Sequence, residues 1–155
     1  MKRIVLLLSL MGVMVALSAT AAFAITDYGT TGDDTLLGTA DPDLLYGLAG
    51  ADTVKGFGGN DFLSGGLGPD TVRGGADGDY IYLGPGNDTG YGGDGADSID
   101  GGRGSDIIYA GPGVDAIDVE DGVEGNDFVV CGDGFDTPIL FDSVDEVDLA
   151  TCEVF

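Results

Sequence analysis

Histidine and tryptophan are absent from this chain of 155 residues, and lysine and arginine together number five. Without histidine there is no Ser-His-Asp or Cys-His pair and no His-Glu-x-x-His zinc site. Carboxylate-only hydrolysis needs two acids facing each other in a cleft, so no enzyme is expected. Basic residues are outnumbered by 28 acidic ones, for a net charge of −23. Nucleic acid and anionic membrane surfaces are therefore poor partners, and cations good ones. Cysteine is scarce too, with only Cys131 and Cys152. An even pair in an exported chain reads as a disulfide. Its loop of about 20 residues is worth roughly 3 kcal/mol in the chain-entropy treatment. The rival reading, a thiol metal site, has too few ligands for closed zinc coordination.

The apolar run from Ile4 to Leu17 follows Lys2 and Arg3 and precedes Ala22-Phe23-Ala24. A basic start, an apolar stretch and a small-x-small site describe a secretory signal peptide over 1–24, with Ile25 as the first mature residue. The run is short for a membrane span of about 20 residues, and no cysteine follows it to carry a lipid. The expectation is a secreted protein with no membrane insertion after cleavage. Without Lys2 and Arg3 the mature charge is about −25.

What is abundant is glycine, 30 residues of it, and not at every third position as collagen requires. In "GGDGADSIDGGRGSDIIY" the second half restates the rule of the first. Counted in nines from Gly29, ten repeats run to Asp118 without an insertion. Position six is Asp34, Asp43, Asp52, Asp61, Asp70, Asp79, Asp88, Asp97, Asp106 and Asp115. Position eight is aliphatic in nine repeats, Gly90 being the exception, and position four is glycine in all but two, where Asp41 and Asp77 stand. The glycines suit a tight turn, and Asp41 and Asp77 tolerate left-handed backbone better than most residues. The last three residues of each repeat predict a short strand, with position eight facing inward. Strict internal repetition of this kind decides the fold class.

The pattern resembles the calcium-binding nonapeptide of repeats-in-toxin (RTX) proteins, also called haemolysin-type repeats. That resemblance implies an all-β fold, a parallel β-roll with two nonapeptides per coil. It also implies calcium ions between turns eighteen residues apart on one edge. It assigns carbonyls two and four and the aspartate of one turn, with carbonyls one and three and the aspartate of the next. One such site comprises Gly66, Gly68 and Asp70 with Leu83, Pro85 and Asp88. The same rule brings Gly84 and Gly86 together with Gly101 and Arg103, and engages Gly93 and Gly95. Six oxygens make the hard donor set that calcium prefers. Five turns per edge give about eight Ca2+ sites. The first four repeats depart from the pattern, with Thr30, Thr39, Leu48 and Phe57 at position two, so weaker or strained sites are expected there.

The expected organisation is a signal peptide (1–24), a short segment (25–28), ten repeats (29–118) and degenerate repeats with a cap (119–155). Val119-Glu120-Asp121 acts as a three-residue insertion, after which Asp127, Asp136 and Asp145 resume position six and Pro138 falls on a core position. The cysteine-bearing tail resembles the ends of small secreted bacterial RTX-repeat proteins, and a solenoid end needs such a cover. With so thin a core and so much charge, folding is expected to require calcium. Outward positions differ between the two sheets. One carries a file of Thr35, Thr53, Thr71 and Thr89; the other carries Leu44, Phe62 and Tyr80, with Tyr46 and Tyr82 nearby. The second file is a possible protein- or glycan-binding face, making an adhesive module the alternative reading; a monomer is expected.

Overall fold

In the computed structural model, the described residues are 23–121, 126–136, 139–140, 145–147 and 152. Nearly all of the expected signal peptide lies outside them.

Among the described residues, strands two apart in chain order pair in parallel, so the chain winds through two seven-stranded sheets. One sheet holds β1 (Thr26–Tyr28), β3 (Leu44–Ala49), β5 (Phe62–Leu67), β7 (Tyr80–Gly86), β9 (Ser98–Gly104), β11 (Ala116–Asp118) and β13 (Ile139–Leu140). The other holds β2 (Thr35–Leu37), β4 (Thr53–Gly58), β6 (Thr71–Ala76), β8 (Thr89–Asp94), β10 (Ile107–Tyr109), β12 (Phe128–Val130) and β14 (Glu146–Val147). Leu45 pairs with Leu63, and Leu63 with Ile81, each eighteen residues on. Two nonapeptides thus make one coil of a parallel β-solenoid, as expected, and no helix occurs among the described residues.

Period-two alternation builds the core. Leu36, Leu45, Val54, Leu63, Val72, Ile81, Ile99, Ile108 and Ile117 at position eight are all buried, and Val129 continues their file beyond the insertion. Position one lies two residues further on and also faces in: Leu83, Ala110 and Cys131 are buried there, as is Val119, two residues beyond Ile117 in the insertion. Each fully buried aliphatic contributes about 1.5–3 kcal/mol.

Three details differ from the sequence expectation. The mid-array strands are six or seven residues long, not three, because the glycine segments also pair across coils, as Gly75 does with Gly93. Asp77 is left-handed, with φ of 71°, but Asp41 is not. Asp41 precedes Pro42, which pushes it towards extended backbone. Pro138 lies outside the described residues, and the ladder pairs Ile117 with Ile139, one position later than the repeat phase predicts. Ile25–Tyr28, for which no structure was expected, extends the sheet of the Leu44–Phe62–Tyr80 file by an edge strand, Thr26 to Tyr28 opposite Leu44 to Tyr46.

Cys131 and Cys152 form a disulfide, as expected, with Cα atoms 5.1 Å apart.

Candidate metal centre

Position six closes each turn and opens the next strand. There the backbone N–H of one aspartate donates to Oδ1 of the aspartate in the following coil. The distance is 2.7 Å from Asp52 to Asp70 and from Asp70 to Asp88, and 2.8 Å from Asp79 to Asp97 and from Asp88 to Asp106. The carboxylates therefore stand in two rows, one along each edge of the solenoid.

Their second oxygens are a different matter. At Asp52, Asp61, Asp70, Asp79, Asp88, Asp97, Asp106, Asp115 and Asp136, Oδ2 is buried and accepts no hydrogen bond. A buried charged acceptor without a partner costs at least about 1–3 kcal/mol, and folded proteins hold only a few unsatisfied buried groups per hundred residues. Burial pushes the carboxyls of Asp61, Asp70 and Asp115 up to about 6. It pushes those of Asp79, Asp88 and Asp106 up to about 7, while an N–H from the preceding coil pulls each back. Burial also raises Asp52 and Asp97.

Main-chain oxygens converge on the same places. A Cβ added to Gly65 would lie 2.7 Å from Asp70 Oδ2 and 2.7 Å from the Leu83 carbonyl of the next coil. Glycine leaves that cradle open. Gly66 and Gly84 have φ of 114° and 103°, which only glycine adopts freely. The Gly68 N–H donates to the Pro85 carbonyl at 3.0 Å, and that oxygen keeps its second lone pair.

The structure thus stacks the turn carrying Gly66, Gly68 and Asp70 on the one carrying Leu83, Pro85 and Asp88. It aligns Gly84, Pro85 and Gly86 with Gly102, Arg103 and Gly104, next to Gly101. On the opposite edge, the Gly93 and Gly95 N–H groups donate to the carbonyls of Ala110 and Pro112.

The start of the array is built differently. Oδ2 of Asp34 accepts the Thr30 N–H at 2.5 Å and the Thr30 hydroxyl at 2.8 Å. Asp43 likewise accepts the Thr39 N–H, at 2.5 Å. These threonines supply locally what the later carboxylates lack. Leu48 and Phe57 occupy left-handed backbone, with φ of 79° and 81°, at a cost of about 1–3 kcal/mol each.

The RTX calcium-binding nonapeptide repeat, as a family model of four copies, matches residues 28–56, 55–90 and 91–123. The chain belongs to this family. No curated protein matches it. The RTX donor set suits calcium on this chain's own geometry: orphaned carboxylate oxygens, open glycine cradles and carbonyls with a free lone pair are all hard oxygen donors. A calcium ion held there would supply the positive charge that the buried rows lack.

The face of Leu44, Tyr46, Phe62, Tyr80 and Tyr82 is partly exposed. Leu44 and Tyr80 are over two-fifths accessible, and Phe62, Tyr46 and Tyr82 are half-buried. Rings line up across the strands: Tyr28 stacks on Tyr46 at 5.0 Å and Phe62 on Tyr80 at 5.2 Å, while Tyr46 and Phe62 are tilted to each other at 5.5 Å. The opposite sheet keeps its threonine file in register from Thr35 to Thr89. Sequence reasoning missed that sheet's own stack, in which Arg73 lies over Tyr91 and Tyr91 stacks on Tyr109. The eighteen-residue spacing of Arg73, Tyr91 and Tyr109 was the available signal.

Proposed function

We propose that this protein is a secreted, non-enzymatic calcium-binding β-roll whose folding is coupled to ion uptake. The rows of buried, unpartnered Oδ2 atoms carry this reading, because they leave the folded chain in need of cations along both edges. Asp52 to Asp115, with the turn carbonyls around Gly66, Gly68, Leu83, Pro85, Gly84, Gly86, Gly93, Gly95, Gly101 and Arg103, form the ligand set. Asp34 and Asp43, partly satisfied by threonine, hold the weakest ions. About eight ions would bring roughly +16 to a mature chain of about −25. The signal-like segment 1–24 supports secretion, as does the disulfide, which persists in oxidising surroundings. In this organisation residues 25–28 lead into repeats 29–118, and 119–155 form the cap.

Circular dichroism of the chain from Ile25 tests the coupling. In chelator above about pH 7, where the buried carboxyls ionise, the far-ultraviolet spectrum is that of a disordered chain. Calcium restores strand signal cooperatively, while magnesium, which demands a small octahedral site, does so poorly. A chain equally folded in chelator would falsify the coupling.

The partly exposed Tyr28–Tyr46–Phe62–Tyr80 file favours a second reading. Here calcium stiffens the rod and the face of Leu44, Phe62 and Tyr80 contacts a protein or glycan.

A further inference from the structure

Six residues beyond the regular repeats reproduce their turn geometry. Cys131 to Asp136 stack on Ala110 to Asp115 at an offset of twenty-one residues instead of eighteen. The Gly111 N–H donates to the Cys131 carbonyl at 2.8 Å, the Gly113 N–H to the Asp133 carbonyl at 2.8 Å, and the Asp115 N–H to Asp136 Oδ1 at 3.0 Å. The preceding gap on that edge has the same three bonds: Gly93 to Ala110 at 2.8 Å, Gly95 to Pro112 at 3.0 Å, and Asp97 to Asp115 Oδ1 at 2.8 Å. Parallel bridges run on from Gly95 through Gly113 to Gly134. The insertion Val119–Asp121 follows β11 and so falls on the opposite edge, which leaves this one unbroken.

Both carboxylates of the extra gap are completely buried, and Oδ2 of each, Asp115 and Asp136, has no hydrogen-bond partner. Asp136 lies outside the family match, which ends at residue 123. Its turn also bears the disulfide. Cys131 stands at inward-facing position one, with its side chain buried and bonded to Cys152, while its carbonyl faces the preceding turn.

We propose that Ala110–Asp115 and Cys131–Asp136 enclose an additional site for a hard divalent cation, calcium, and that the Cys131–Cys152 bridge holds this site in place. The proposal rests on the calcium reading above. Its oxygens are the carbonyls of Gly111, Gly113, Cys131 and Asp133 and the carboxylates of Asp115 and Asp136. Because the bridge fixes a ligand residue by its side chain, reduction loosens the site. By linkage, the bound ion in turn resists reduction by the same factor.

Ion counting by native mass spectrometry on the full mature chain, titrated with calcium, tests both halves. Asp136→Asn keeps an oxygen for the Asp115 N–H and turns its NH2 towards the cradle, so it binds one ion fewer than wild type, with the midpoints of the coils beyond the neighbouring gap unchanged. The Cys131→Ser/Cys152→Ser variant keeps the regular sites and binds the extra ion more weakly, on the order of tenfold. An Asp136→Asn protein that binds as many ions as wild type, equally tightly, overturns the site. If Asp136→Asn disrupts the whole array, the double serine variant decides: loss of affinity in one ion only supports the proposal, and an unchanged titration overturns it. A wild-type chain that binds no calcium overturns the general reading as well, which distinguishes the two failures.

Discussion

At the residue scale, the seventh repeat exchanges the contents of two positions. Every other regular repeat has an aliphatic at position eight, whereas this one has Gly90 there and Leu83 at position one, where glycine is usual. Both positions face the interior, and Leu83 is fully buried. A Cβ on Gly90 would lie 3.1 and 3.3 Å from the two Leu83 methyl carbons, so leucine already fills the space that glycine vacates. Leu83→Ala therefore opens a cavity and lowers stability in calcium by about 2–5 kcal/mol. Gly90→Ile alone overpacks the same space and costs about 1–3 kcal/mol. The double variant Leu83→Ala/Gly90→Ile returns the aliphatic side chain to position eight and recovers most of the loss. Urea unfolding of the four proteins closes the cycle. Simple additivity of the two single effects would show that the residues do not share one space.

At the scale of elements, the unit is the stacked pair of turns, and interior turns count twice. Asp88 lies between Asp70 and Asp106 on its edge, and its Oδ1 accepts the Asp70 N–H while its own N–H reaches Asp106. Asp34 is an end member whose Oδ2 is already occupied by Thr30. In a nearest-neighbour solenoid, Asp88→Ala raises the calcium midpoint for folding several-fold, and Asp34→Ala moves it far less. Equal shifts in a calcium titration followed by circular dichroism would refute neighbour coupling. The buried file was legible because aspartate recurs in all ten repeats and an aliphatic residue in nine, which reports a backbone that repeats; the coil of two nonapeptides and the two-sheet winding were implied by the resemblance to the RTX family. The disulfide was legible from cysteine count. The length of the strands was not, because glycine carries no side-chain pattern to reveal that its backbone pairs across coils. Nor was the slip that puts Ile139 opposite Ile117, since phase alone cannot show where a ladder absorbs a residue. The threonine substitutes at Thr30 and Thr39 appeared in sequence only as departures from glycine; their bonds to Asp34 and Asp43 give those departures a chemical meaning.

At the scale of the molecule, proton and calcium compete for the same buried oxygens. Burial lifts Asp79, Asp88 and Asp106 to about 7 in the metal-free fold, from an ordinary value of 3.8. Between those limits the folded chain holds more protons than the unfolded one. Stability of the metal-free roll therefore rises as pH falls through about 7 towards the ordinary carboxylate range, and is lost as pH rises again. Relief of self-repulsion acts in the same direction on a chain of net charge −23. Calcium needs the ionised form, so its binding runs the other way: each proton held by a position-six aspartate must leave before the ion can use that oxygen. In chelator, strand signal accordingly grows between pH 8 and pH 5 (about the span covered by these carboxyls), while the calcium midpoint measured over the same range moves to higher concentration. A chelated chain with one spectrum throughout, together with a calcium midpoint indifferent to pH, would mean that the buried carboxylates do not control the balance between the folded and unfolded chain.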